Sequence, residues 1–229
     1  MSQKNNNMKE LKKNVMDRLT WDDRIDESQI DVSIHDNIVS LKGCVSTYPE
    51  KVLAEIEAQM VPGIKSVVSD IEVKFPGSYK VPSDQDVSEA MYCLLDANSE
   101  INSNDIQVSI DNGNVILEGT VNSYWKREKI RKIASQISGV VSVKNKISVI
   151  PDVKISDEEI ANLIIKSMQN SVHVEAYKVD VKVKDGIVSL SGTLSSMSEY
   201  DTIKNIVEFT KGVIDIKNDL KWVLRYQTT

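Results

Sequence analysis

Two rhythms of apolar and polar residues alternate along this chain. Val108 and Ile110 are separated by single polar residues, and Val115 and Leu117 resume the same period of two. That period predicts half-buried strands. Asn112-Gly113 sits between them, a pair that favours a tight turn with positive φ at both central residues, hence a β-hairpin. Upstream, Val87, Met91 and Leu95 recur every four residues and define one face of a helix. Downstream, Ile130, Ile133, Ala134 and Ile137 mark a second helix over about 125–137. It stops before Gly139, where a left-handed residue costs little. A closing strand over 140–149 alternates through Val143, Ile147 and Val149. The predicted order is α-β-β-α-β.

The same order occurs three times. The hairpin 108–119 matches 32–43 at a shift of 76 residues and 181–192 at a shift of 73. A second glycine follows the hairpin glycine by 20 residues in each copy: Gly63, Gly139 and Gly212. Extension in both directions gives ungapped units of 66 residues at 8–73, 84–149 and 157–222. The first helix recurs with Leu11, Val15 and Leu19, then with Ile160, Ile164 and Met168. Its start is signalled by Ser156-Asp157-Glu158-Glu159 in the third unit and by Pro82-Ser83 in the second. The turn pairs are Asp36-Asn37 and Asp185-Gly186 in the other two units. The second helix is expected over about 50–61 and 198–210, and the closing strand over 64–73 and 213–222.

The predicted fold is therefore α+β: three tandem units, each a small three-stranded mixed sheet with two helices packed on one face. One departure is visible. Glu57 stands where the other units carry isoleucine, so Val52, Leu53 and Ile56 are expected to supply a rotated stripe. A unit this small buries only about 60% of its unfolded surface, which predicts that the units pack on one another or on a partner. The shorter linker, 151–155, predicts a more fixed pairing of the second and third units than 74–82 gives the first two. Residues 224–229 read as a tail.

The hairpin followed by V-x-L-x-G, a helix, and then G-V-x-x-V resembles the BON domain. The matching residues are Val115, Leu117, Gly119, Gly139, Val140 and Val143, with Val188, Leu190, Gly192, Gly212, Val213 and Ile216 in the third unit. The first unit matches with Val39, Leu41 and Gly43, then reads Pro62-Gly63-Ile64. The resemblance covers all three units. It implies an interaction module without catalytic machinery. The roles it implies are binding to phospholipid surfaces, envelope maintenance, protection in osmotic stress, and ion-binding or chaperone-like action. It also implies export, because better-known members are periplasmic.

Composition narrows the partners. Apolar residues are 41% and charged residues 27% of the chain, an ordinary globular balance. The net charge of −6 opposes sequence-independent nucleic-acid binding, which relies on phosphate neutralisation. No apolar run reaches the length of a membrane span. The N-terminus carries no secretory signal, so the expected location is cytoplasmic, or periplasmic for a chain whose leader has been removed. Cys44 and Cys93 have no metal-ligand spacing and are expected to be small buried hydrophobes.

Candidate catalysis is sparse. His35 and His173 occupy non-equivalent positions, and no nucleophile-base set or phosphate-cradling glycine run is present. No cofactor and no metal site is expected. The acidic loop Asp22, Asp23, Asp26 and Glu27 offers oxygen ligands without an EF-hand pattern and reads as solvated.

The most informative segment is 124–132. Tyr124, Trp125, Lys126, Arg127, Lys129, Arg131 and Lys132 form a basic, aromatic-flanked stretch, whereas the equivalent helices carry Glu50, Glu55 and Glu57, or Glu199, Asp201 and Glu208. Lys and Arg beside an amphipathic aromatic suit an anionic headgroup layer, at about 1 kcal/mol per basic side chain. The expected function is non-catalytic docking on anionic phospholipid or on an envelope protein. The competing expectations are a solvated helix face with Trp125 packed on a neighbouring unit, and a cytoplasmic ion-responsive or scaffolding, chaperone-like stress protein.

Overall fold

The computed structural model describes residues 2–172 and 174–222, with side chains described except at 2–7, 177 and 222. The first unit contains α1 (Ser2–Trp21), β1 (Ile30–His35), β2 (Ile38–Val45), α2 (Tyr48–Gln59) and β3 (Ser66–Val73). The second contains α3 (Asp84–Asp96), β4 (Ile106–Asp111), β5 (Asn114–Val121), α4 (Tyr124–Ser135), β6 (Ser142–Asn145) and β7 (Ser148–Val149). The third contains α5 (Asp157–Gln169), β8 (Val179–Lys184), β9 (Ile187–Leu194), α6 (Met197–Glu208) and β10 (Asp215–Trp222). The α+β architecture is the predicted one, and each sheet is mixed. In the first unit β1 and β2 are antiparallel, and β3 lies parallel to β2 on its other side. A parallel neighbour requires a crossover, which α2, α4 and α6 supply.

Local chemistry explains these elements. The hairpin turns hold Asp36 and Asn37, Asn112 and Gly113, and Asp185 and Gly186 at φ between 49° and 74°. Ser83 caps α3 in a reciprocal box with Asp86, and Ser156 caps α5 through the Glu159 amide. The first carboxylate of these two helices also reaches the hairpin turn. Asp84 accepts from the amides of Asn112 and Gly113, and Asp157 from those of Asp185 and Gly186, all at 2.8–2.9 Å. The closing strands begin two residues later than periodicity predicts. The chain first anchors to the same turn, through Val141 N to Gly113 O at 2.8 Å and Ile214 N to Gly186 O at 2.9 Å.

The closing strand of the second unit is interrupted. Asn145 Oδ1 accepts from Ile147 N at 3.0 Å, and Asn145 Nδ2 donates to Arg127 O at 3.2 Å. Asn218 Oδ1 accepts from Leu220 N in the same way at 3.1 Å within the unbroken β10, so this bond occupies an amide of the closing strand without itself dividing β6 from β7.

Each unit closes its own apolar cluster. Leu19, Leu41, Leu95, Leu117, Ile164 and Ile203 are among the fully buried side chains. The first unit corrects one expectation. Its α2 does not rotate: Ala54 and Ala58 are buried, and Ile56 is 42% exposed. Glu57 keeps the inward position because Arg18 Nε reaches its Oε2 at 2.6 Å. The cysteines correct another, since Cys93 is exposed and Cys44 half-buried.

The units pack end on end through repeated positions. Tyr48, the first residue of α2, packs against the cluster of the second unit, and Tyr124, the first residue of α4, packs against that of the third. Burial raises the pKa of both phenols, that of Tyr124 to about 12.

Candidate functional site

Helix α4 carries the predicted basic segment, and the structure divides its residues between two tasks. Tyr124 and Arg127 belong to the junction with the third unit. The Arg127 guanidinium lies 4.6 Å from the Tyr124 ring centroid, and its Nη2 is 2.7 Å from Asp215 Oδ1. Burial acts against the Arg127 charge, but the Asp215 carboxylate and the phenol hold its pKa above the ordinary value. Trp125 also faces the third unit, with its ring centroid 6.1 Å from that of Phe209.

The remaining basic side chains lie along the outside of the helix. Lys129 pairs with Glu100, and Arg131 Nε lies 2.9 Å from Glu128 Oε2. Lys132 is 56% exposed, with Nζ 3.9 Å from Glu208. Lys126 Nζ rests 5.7 Å from the Trp125 centroid and, among the described residues, has no ion-pair partner. The predicted patch is thus brought together on one helix, but three of its seven members, Tyr124, Trp125 and Arg127, are turned toward the third unit. The Asp215 partner of Arg127 lies 88 residues away in sequence, so helical periodicity could not reveal it.

A second arrangement at the helix starts was not anticipated. In the first unit Glu50 is buried, and its two oxygens accept from Asp26 N at 2.8 Å and Ser46 N at 3.0 Å. In the third, Glu199 is buried and accepts from Glu175 N at 3.0 Å and Ser195 N at 2.9 Å. Each carboxylate ties the loop before the hairpin to the loop after it. The equivalent residue of the second unit is Lys126, and the equivalent amides are those of Asn102 and Asn122. All three residues line a cleft of about 570 Å³ whose walls also carry Glu100, Asp105 and Asp152. The charge contrast in the sequence pointed at Lys126, but only the fold shows what its counterparts hold.

The other candidates have internal partners or lie apart. Asp22 is buried and accepts from Arg24 Nε and Nη2 at 2.8 and 2.6 Å, and these hydrogen bonds hold its carboxyl below the usual range. Asp26 accepts from Ser28. The loop carboxylates so occupied do not converge on a common point, and among the described residues no group of three potential metal ligands occurs. His35 is exposed beside Asp36, and His173 lies outside the described residues. No helix among the described residues is long and apolar enough to cross a membrane.

The glycine of V-x-L-x-G has a steric reason that ties the hairpin to this site. At Gly119 φ is +129°, and a Cβ would come within 2.0 Å of the Asp105 carbonyl oxygen. Gly43 and Gly192 meet the carbonyls of Gln29 and Lys178 in the same way. Three units with this contact, this strand order and this spacing are matched by the BON domain over residues 7–74, 83–151 and 156–223. The chain belongs to the BON domain family.

Osmotically-inducible protein Y of Escherichia coli (strain K12) is 32% identical to this BON chain over 149 residues, which span 60% of the chain and 72% of that protein. An uncharacterized protein in the gshII 5' region of Anaplasma centrale is 32% identical over 114 residues, spanning 47% of the chain and 75% of that protein. A solved structure of CdsD, a structural protein of the type III secretion system of Chlamydia trachomatis, aligns over 95% of this chain and 94% of its own at 14% identity, with a TM-score of 0.29.

Proposed function

We propose that the chain is a non-catalytic BON protein of the osmotic stress response that docks on anionic phospholipid surfaces through the outer face of α4. The single observation behind this reading is the charge of that face. Lys126, Lys129, Arg131 and Lys132 lie along α4, while the equivalent helices carry one lysine each, Lys51 and Lys204, and bury Glu50 and Glu57, or Glu199 and Glu208. Scaffolds of one design with different surfaces have different contacts to make. The similarity to osmotically-inducible protein Y supports the stress context.

Docking of this kind depends on few charges and fades with salt, because interactions beyond about 10 Å are screened at 0.1 M ionic strength. Arg127 is excluded from the contact by its bond to Asp215. The test is co-sedimentation with vesicles containing phosphatidylglycerol, at low and physiological salt. Binding that requires the anionic lipid and is lost in the Lys129→Glu, Lys132→Glu double variant is the expected result. Equal binding to phosphatidylcholine vesicles, or an unaffected double variant, overturns the reading.

A further inference from the structure

The second unit lacks a carboxylate that the other two units place at the same point. Glu50 and Glu199 each bring two oxygens to a pair of loop amides, at distances of 2.8–3.0 Å. The fold itself creates that pair: one amide precedes the short helical turn before the first strand of the hairpin, and the other follows its second strand. In the second unit the same amides belong to Asn102 and Asn122, and among the described residues neither donates to a protein acceptor. The side chain in the glutamate position is a lysine, and Lys126 is also the α4 cation without an ion pair among the described residues.

The start of α4 is less well capped than the starts of its two counterparts. Helix α4 has no acidic residue in its first turn, and Ser123 makes no side-chain cap bond. The helix dipole disfavours a cation there. By contrast, α2 and α6 have Glu50 and Glu199 in that turn, with caps from Thr47 and Ser196. The cleft that Lys126, Asn102 and Asn122 line is about 570 Å³, open enough for a small molecule.

We propose that this cleft binds a small carboxylate, whose two oxygens accept the N–H groups of Asn102 and Asn122 and whose charge is met by Lys126. The ligand carboxylate takes the place that Glu50 and Glu199 fill in the sister units. Glu100, which pairs with Lys129, and Asp105 and Asp152 on the walls disfavour a second negative group, so monocarboxylates and amino-acid zwitterions fit better than dicarboxylates. The site does not depend on membrane docking, and its test leaves Lys129 and Lys132 untouched.

The experiment is a titration of the full chain with sodium acetate, followed by backbone amide NMR against sodium chloride of equal ionic strength. Saturable shifts centred on Asn102 and Asn122 are expected with acetate alone. Lys126→Glu supplies the missing carboxylate from within, so it abolishes those shifts and raises the melting temperature of the acetate-free chain. If that variant does not fold, Lys126→Gln serves in its place and weakens acetate binding several-fold. Shifts no larger with acetate than with chloride overturn the proposal. So do shifts that persist unchanged in the folded Lys126 variant.

Discussion

Arg127 and Asp215, 88 residues apart, meet at 2.7 Å and join the second unit to the third. Arg127 is 19% exposed and Asp215 45% exposed at the side chain. An ion pair this open to water is worth about 1 kcal/mol or less. Arg127→Ala also removes the stacking on Tyr124, so it is expected to cost more than Asp215→Ala. A double-mutant cycle by urea unfolding should give a coupling of about 0.5–1 kcal/mol. Additive effects would show that the pair does not hold the junction.

The Arg18–Glu57 pair has a control built into the sequence, because the equivalent residues of the second unit are Leu94 and Ile133. Glu57 is the buried member and Arg18 is 40% exposed at the side chain, so removing Arg18 strands a buried carboxylate, whereas apolar replacement of both is often neutral or favourable. Arg18→Leu alone leaves Glu57 buried and is expected to destabilise the first unit by about 1–3 kcal/mol. Arg18→Leu with Glu57→Ile should recover most of that loss in thermal unfolding. A double variant less stable than Arg18→Leu would show that the ion pair is not replaceable.

Gly119 tolerates no side chain. Its φ of +129° and a Cβ contact of 2.0 Å with the Asp105 carbonyl act together. A strained backbone alone costs about 1–3 kcal/mol, and the contact is to backbone, which cannot rotate away. Gly119→Ala should therefore destabilise the second unit more than Gly77→Ala destabilises the chain, since nothing lies within 4 Å of a Cβ at Gly77. Equal melting temperatures for the two variants would contradict the structure.

Much of this fold was legible in the sequence because its signals are local. Asn112-Gly113 and Asp185-Gly186 specify their turns whatever surrounds them, and the spacing of Val87, Met91 and Leu95 needs only one helix to be read. The position of α2 was misread because its inward residues are Ala54, Glu57 and Ala58. Alanine adds little to an apolar stripe, and Glu57 is legible as a core residue only once Arg18 is known to reach it from 39 residues away. The segment 124–132 was found by composition. Its division into a junction half and an outer half was not, because that depends on how the third unit sits. The loop amides of Asn102 and Asn122 carried no signal, since a backbone N–H is the same in every residue.

Three phenols should titrate late. Burial raises the pKa of Tyr48, Tyr124 and Tyr200, with Tyr124 reaching about 12. An unfolded tyrosine ionises near ~10, so the unfolded chain loses these protons first. The stability that comes from burying neutral phenols is fully present below that pH and is lost as pH rises from there toward about 12. Tyr124→Phe should flatten this alkaline fall, as measured by urea unfolding across the range. A variant that loses stability as steeply as the parent would place the titrating group elsewhere.

The interruption between β6 and β7 has a consequence for how these sheets meet other sheets. A long, regular edge strand is a template for pairing with a stranger, and natural proteins blunt such edges with breaks and charges. The closing strand of every unit is an edge. In the second unit the break at Lys146 and Ile147 limits its continuous ladder to the four residues Ser142–Asn145. The eight-residue edges β3 and β10 have no such break, and instead carry Asp70 and Glu72, or Lys217, Asp219 and Lys221. Interruption guards one edge against fibril-like zipping, and charge guards the other two. Neutralising Asp70 and Glu72 would leave Val68, already 57% exposed, on an unguarded strand.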